Sequence, residues 1–134
     1  MGKFSIIMFS GTADKFIPLG VLADAAAAMD YEVKVFVTGF ALMGFTKEKH
    51  ELPFPAEFAS MAPMLASGMK ATNTKSWYDM LSEAKASGNV KVYACSLMAS
   101  MFNLKKDDMD PIIDDILGAA SFMGMSEGGQ VIFI

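Results

Sequence analysis

Short apolar runs alternate with stretches of helical spacing along this chain, and that alternation most constrains its fold. Residues 3–9, 32–38, 90–94 and 130–134 are rich in the β-branched and aromatic residues that strands favour. Most of the sequence between them carries apolar residues at helical spacing. Strands that alternate with helices predict an α/β fold, with a mainly parallel sheet and helices on both of its faces.

The predicted helices have two irregular features. Residues 14–29 and 74–87 have helical patterns, and Pro18 predicts that the regular part of the first helix begins close to it. Residues 39–55 form a long irregular connection, and residues 58–69 predict a methionine-rich helix. Connections of that length are usually lids, interface loops or disordered segments.

Two assignments remain open between Asp110 and Gly118. Asp110-Pro111 has the pattern of a helix N-cap followed by proline at the first helical position. The apolar residues that follow fit a helical stripe as far as Gly118, and a short strand within that stretch is the alternative. Residues 119–125 predict one or two further helical turns before the closing strand.

Length and composition exclude several classes of protein. A chain of 134 residues predicts a single domain, 1–134, and the 53% hydrophobic content fits a sheet that is buried on both faces. No uncharged run approaches the roughly 18 residues of a membrane-spanning helix, and the N-terminus does not resemble a signal peptide. The net charge is −4 and all eleven basic residues are lysine, which argues against nucleic-acid binding. We therefore expect a cytoplasmic protein without a membrane span.

Cys95, the only cysteine, is the candidate reactive residue. It lies between the strand at residues 90–94 and a predicted short helix that opens near Ser96. A helix start presents unpaired amides and partial positive charge, so we expect it to favour the thiolate, which is the nucleophilic form of cysteine. A single cysteine cannot form an internal disulfide, which fits a reducing compartment.

Ligands of open parallel sheets bind beyond the carboxyl ends of the strands. Three turns should meet at that edge, and they predict a substrate-binding set around Cys95. Its members are Gly11, Thr12, Thr38, Gly39 and Ser96.

Several segments together resemble the DsrE/DsrF/DsrH-like family, specifically its DsrE2-like branch, which is related to TusD. The resemblance covers nearly the whole chain and depends on the order and spacing of many short segments. The matching segments are 14–15, 22–23, 26–29, 31–33, 36–38, 42–43, 47, 90–96, 104–109 and 131–134.

This resemblance implies a three-layer, flavodoxin-like domain with about five strands, and a homo-oligomer. It also implies a sulfur carrier that holds sulfane sulfur on Cys95 as a persulfide or thiosulfonate. The sulfur comes from inorganic sulfur species and passes to a TusA-like acceptor protein or a small thiol. Such a protein is a sulfurtransferase-like carrier rather than a turnover enzyme. The chain departs from the family at Asp30 and Asn103, where relatives have glycine, and residues 38–41 lack the usual tryptophan.

A second hypothesis is a non-catalytic binding or assembly module in which Cys95 is structural. A peroxide-reducing thiol protein is a weaker third, because the chain has neither a resolving cysteine nor an arginine. His50 would assist Cys95 only if its loop folded over the thiol, and Lys105 is either a solvated turn residue or an attractor of anionic sulfur.

We expect no metal site and no cofactor, because one cysteine and one histidine supply too few zinc ligands and no nucleotide-binding motif is present. The thirteen methionines leave three interpretations: core packing, an adaptable docking surface that includes Met61, Met64, Met98 and Met101, or soft-metal binding.

Overall fold

The computed structural model describes residues 2–48 and 51–134, and it confirms the predicted α/β fold. Five strands form one sheet in the order β4-β3-β2-β1-β5, and every neighbouring pair is parallel. The strands are β1 (Lys3–Met8), β2 (Glu32–Val37), β3 (Val90–Cys95), β4 (Asp115–Leu117) and β5 (Gln130–Phe133). The chain steps from β1 to β4 in one direction across the sheet and then returns to place β5 beside β1.

One face of the sheet carries the main hydrophobic core. The helices α1 (Ala13–Ala28) and α3 (Trp77–Ser87) pack there, and α4 (Ser96–Met101) contributes Ala99. Alternate strand residues such as Ile6, Val35 and Val92 are fully buried against these helices. Right-handed crossovers that step in one direction place their helices on one face, which explains the shared side.

The opposite face is covered by α5 (Ala119–Ser126). Its Phe122 is 1% exposed and stacks on Phe36 of β2, with ring centroids 4.7 Å apart. Cys95 belongs to the same buried cluster, against which Tyr93 and Leu117 also pack. A single eight-residue helix therefore covers the face on which the cysteine lies.

The structure corrects the predicted start of the first helix. The helix α1 begins at Ala13, so Pro18 lies inside it rather than near its beginning. The amide that proline lacks would have bonded to the carbonyl of Asp14, so the proline removes only one bond from the first turns. In α3, Ser76 is the N-cap, and its hydroxyl accepts a bond from the Asp79 amide at 3.1 Å.

Residues 110–117 form a turn and a strand, which was the alternative to a helix. Asp110 Oδ1 accepts bonds from the Ile112 amide at 2.9 Å and the Tyr78 hydroxyl at 2.7 Å. Asp114 accepts the Val92 amide at 2.8 Å and also binds Lys85. Asp110 holds the turn to α3 and Asp114 holds the following residues to β3, which selects the strand over the helix.

The long connection after β2 is more regular than expected. Residues Gly39–Phe45 form a 3-10 helix whose Leu42 and Phe45 are fully buried. A second 3-10 helix, Ala56–Met61, leads into α2 (Ala62–Ala71), and all the residues of both segments are exposed or half-buried. Within the described residues, no helix is long and apolar enough to cross a membrane.

Candidate functional site

Cys95 is the last residue of β3 and the N-cap of α4, with an extended backbone at φ −69° and ψ 122°. Its side chain lies on the α5 face, since it follows Tyr93 by two residues and side chains alternate along a strand. It is 6% exposed and packs with Phe36 and Phe122. The candidate nucleophile is therefore placed at the predicted edge of the sheet but is almost covered.

Two helices begin beside this cysteine. Leu117 is the register partner of Cys95, and the next residue, Gly118, is the N-cap of α5. A Cβ on Gly118 would lie 3.8 Å from the Ser96 hydroxyl oxygen, so the starts of α4 and α5 are adjacent. Neither N-cap makes a side-chain hydrogen bond, so the first amides of both helices have no side-chain partner from the cap. The cap of α4 is Cys95 itself, and Ser96 is the first helical residue.

Thr38 is the second predicted site residue that the fold brings to Cys95. The pairing of β2 with β3 ends at Val37 and Ala94. Thr38 comes directly after Val37 and Cys95 directly after Ala94, so the two residues are adjacent. Thr38 is extended and half-buried, so its side chain points to the same face as Phe36 and the thiol. Its amide donates to the Met8 carbonyl at 2.9 Å, which fixes the backbone there.

The glycines of the neighbouring loops allow close packing of aromatic side chains. Gly39 has φ +56°, and a Cβ there would lie 2.4 Å from the ring of Phe9. A Cβ on Gly11 would lie 2.8 Å from the Cβ and carbonyl oxygen of Phe40. Larger residues at either position would force these loops apart, so both glycines are required by packing.

Thr12, which the prediction groups with Cys95, bonds to the start of α1. Its hydroxyl donates to Asp14 Oδ1 at 2.6 Å. Together with Gly11 it lines a cavity of about 450 Å³, whose wall includes Phe40 and Met43. Cys95 is not among the residues that line this cavity.

The charges around Tyr93, two residues before the cysteine, are acidic. Asp115 is the register partner of Tyr93, two residues before the Leu117–Cys95 pair. The pKa of Tyr93 is raised, first by burial and then by the carboxylates of Asp114, Asp115 and Glu32. The helix α5 itself carries no charged residue.

The remaining candidates are divided between the cysteine cluster and other parts of the fold. Lys105 lies in the turn after α4, where its amide donates to Asp108 Oδ2 at 2.9 Å. His50 lies outside the described residues. Met98 packs against the cysteine cluster, but Met61 and Met64 line a separate cavity. The predicted methionines therefore do not form a single surface around Cys95.

The alternation of side chains along β3 indicates that Tyr93 shares a face with Cys95. The sequence pattern does not identify Phe36 and Phe122, which cover the thiol. Placing Phe36 beside Cys95 requires the β2–β3 register, and Phe122 becomes a neighbour only through the final crossover. Within residues 2–48 and 51–134, no three His, Cys, Asp or Glu side chains form a group that could hold a metal ion.

Comparisons with known proteins relate both the sequence and the fold to other chains. The sequence model of the DsrE/DsrF/DrsH-like family matches residues 1–62 and 40–134. The chain is 28% identical to the uncharacterized protein YrkE of Bacillus subtilis, covering 96% of this chain and 94% of that one. It is 27% identical to the sulfur carrier protein DsrE2 of Allochromatium vinosum, covering 90% of this chain and 89% of that one.

Two solved structures share the fold over 100% of both chains at 11% sequence identity. They are MTH1491 of Methanobacterium thermoautotrophicum, a protein of unknown function, with a TM-score of 0.63, and the ychN protein of E. coli, with a TM-score of 0.64.

Proposed function

This chain belongs to the DsrE/DsrF/DrsH-like family, and from that membership and the site we propose that it carries sulfane sulfur on Cys95. The observation that carries the proposal is the position of the only cysteine. Cys95 ends β3 at the carboxyl edge of a parallel sheet, where two helices begin. The similarity to the sulfur carrier DsrE2 extends over 90% of this chain and supports the same conclusion.

The loading step is a displacement at sulfur. The Cys95 thiolate attacks the sulfane sulfur of a persulfide, polysulfide, thiosulfate or tetrathionate, and a new S–S bond forms as the donor's S–S bond breaks. The donor's remaining part leaves with the electron pair as a thiolate, a shorter polysulfide, sulfite or thiosulfate. Thiosulfate and polysulfide leave a persulfide on Cys95, whereas tetrathionate leaves a thiosulfonate group.

The unloading step needs a thiol from another molecule, because the chain has no second cysteine. An acceptor thiolate attacks the sulfane sulfur that is bonded to Cys95, and Cys95 leaves as the thiolate, so the carrier returns to its starting state. A TusA-like protein or a small thiol fills this role. Ser96 and Thr38 stand beside Cys95 and are the proposed contacts of the bound sulfur, whereas Gly11, Thr12 and Gly39 shape the adjoining loops.

Burial of the thiol sets a requirement on this mechanism. With Cys95 6% exposed, the donor reaches the sulfur only after the Phe122 side of the cluster opens. The helix α5 has only two buried residues, Phe122 and Ser126, so its opening breaks few contacts. We propose that movement of α5 admits donor and acceptor.

Intact-mass spectrometry of the reduced protein after exposure to polysulfide, thiosulfate or tetrathionate tests the proposal. We expect a reducible adduct of one sulfur atom or of a thiosulfonate group, and none on Cys95→Ser. Ser100→Ala, at an exposed serine of α4, is the matched variant that keeps the thiol and its proposed contacts, and it should still load. If no donor produces an adduct on the folded protein, the proposal is wrong.

The burial of Cys95 also favours the second candidate, a binding or assembly module in which the thiol is structural. Alkylation separates the two: a thiol that reacts only after denaturation supports the module. On either interpretation we propose a cytoplasmic homo-oligomer, because an unpaired cysteine suits a reducing compartment and many large apolar side chains are exposed.

A further inference from the structure

A cavity of about 690 Å³ lies between α1 and α2, on a part of the molecule that the sulfur chemistry does not use. Ile17 and Asp14 of α1 form one wall. Phe54, Phe58 and Leu65 line the cavity with three methionines, Met61, Met64 and Met69. The chain thus places three thioethers and one carboxylate around one apolar cavity.

Core packing explains other methionines of the chain but not these three. Met8 and Met109 are 0% and 2% exposed and belong to the main core. Met61 and Met64 are 46% and 62% exposed, and Met69 is half-buried. The interpretation that methionines at helical spacing are core residues is therefore wrong for this segment.

The spacing makes Met61 and Met64 neighbours, and Met69 joins them only through the cavity that all three line. Met61 and Met64 are three residues apart, so they are neighbours along one side of the segment. Met69 follows two turns after Met61 and lines the same cavity. Methionine is unbranched and has three rotatable side-chain bonds, so exposed thioethers can rearrange around a ligand at small cost.

We propose that Met61, Met64 and Met69 form a site for a soft monovalent cation, Cu(I). Soft thioether ligands select Cu(I) over harder ions, which take imidazole or carboxylate ligands. The Asp14 carboxylate lines the same cavity and compensates part of the cation's charge.

A thioether site has a signature that a thiolate site lacks. Methionine sulfur has no proton to lose, whereas metal binding by cysteine or histidine displaces protons and weakens in acid. Cu(I) affinity at this site is therefore unchanged between neutral and mildly acidic pH. This separates it from binding at Cys95.

The test is an anaerobic titration with Cu(I) in competition with bicinchoninate, on the Cys95→Ser protein so that the thiol does not contribute. We expect one Cu(I) per chain, with an affinity independent of pH. The triple variant Met61→Leu, Met64→Leu, Met69→Leu keeps the apolar wall and should lose at least the roughly 10- to 100-fold that even an outer-shell change costs. Met123→Leu, a 69% exposed methionine on α5, is the matched control and should bind like its parent.

Equal Cu(I) affinity in the triple variant and its parent would overturn the proposal, and so would affinity that falls in mild acid. A second copy of the chain is the alternative occupant of this cavity, and sedimentation of the same proteins tests it by measuring their oligomeric state. If the triple substitution changes the oligomeric state and leaves Cu(I) binding unchanged, the cavity is a subunit interface and the metal site is wrong.

Discussion

Replacement of Phe122 by alanine should both destabilise the protein and expose the candidate nucleophile. Phe122 is 1% exposed, stacks on Phe36 at 4.7 Å and shares a buried cluster with Cys95. It is also the largest buried side chain of α5. The substitution therefore removes the main contact between this helix and the sheet.

The expected loss follows from burial. Truncation of a buried phenylalanine to alanine costs about 3–5 kcal/mol of unfolding free energy. We expect the lower part of that range, because a cavity of about 430 Å³ beside Ile7 and Val131 already opens next to Phe122 and allows the site to collapse. Domains of this kind have about 5–15 kcal/mol of stability, so most of the variant remains folded.

Urea unfolding followed by Trp77 fluorescence measures the change. Trp77 packs against Phe16 and Phe45 on the other face of the sheet, so its signal reports unfolding of the whole core rather than of α5. Alkylation of Cys95 in the absence of urea measures access to the thiol, and its rate should rise in the variant.

The matched control is Met123→Ala on the same helix, where the side chain is 69% exposed and the expected change is within about 0.5 kcal/mol. The reasoning is refuted if the unfolding free energy of Phe122→Ala lies within about 0.5 kcal/mol of the parent value. It is also refuted if alkylation of Cys95 is no faster in Phe122→Ala than in the parent.

Three further predictions concern the supports of the sheet. Asp114→Ala removes the acceptor of the Val92 amide and should cost about 1–3 kcal/mol in urea unfolding, with no loss contradicting the assigned role of the carboxylate. Asn103 has φ +54°, so the unfolding free energy of Asn103→Ala should be about 1 kcal/mol lower than that of Asn103→Gly, and its urea midpoint should be lower too. Equal midpoints would show that the backbone there is not strained. Burial, aided by a bond to Asp110, raises the pKa of Tyr78 to about 12. The unfolded chain ionises first, so this contribution is complete below the unfolded pKa of about 10 and is lost as pH rises toward 12. The stability difference between the parent and Tyr78→Phe should shrink over that range when followed by urea unfolding, and a constant difference would contradict it.

The sheet was predictable because strand and helix periods differ and alternate along the chain. Asp30 and Asn103 illustrate how far local chemistry extends the prediction. Both adopt positive φ, at 60° and 54°. Asp and Asn tolerate this left-handed conformation better than other residues with a side chain, so the turns keep their geometry without glycine.

The rest depends on long-range contacts that a sequence pattern does not contain. Residues 110–117 have helical spacing, but Asp114 bonds to β3 and holds a strand. The position of Cys95 at a strand end followed from local sequence, whereas its cover by Phe122 follows from the crossover that returns the chain to β5.

The strand order also makes the two edges of the sheet unequal. The outer edge at β4 is three residues long and begins with Asp115, and a short, charged edge discourages pairing with another sheet. The edge at β5 has no charged side chain in residues 130–134, and Val131 and Phe133 are 48% and 67% exposed. Aggregation by edge-to-edge pairing of concentrated protein would therefore start at β5, and a lysine in place of Val131 is the change that should suppress it.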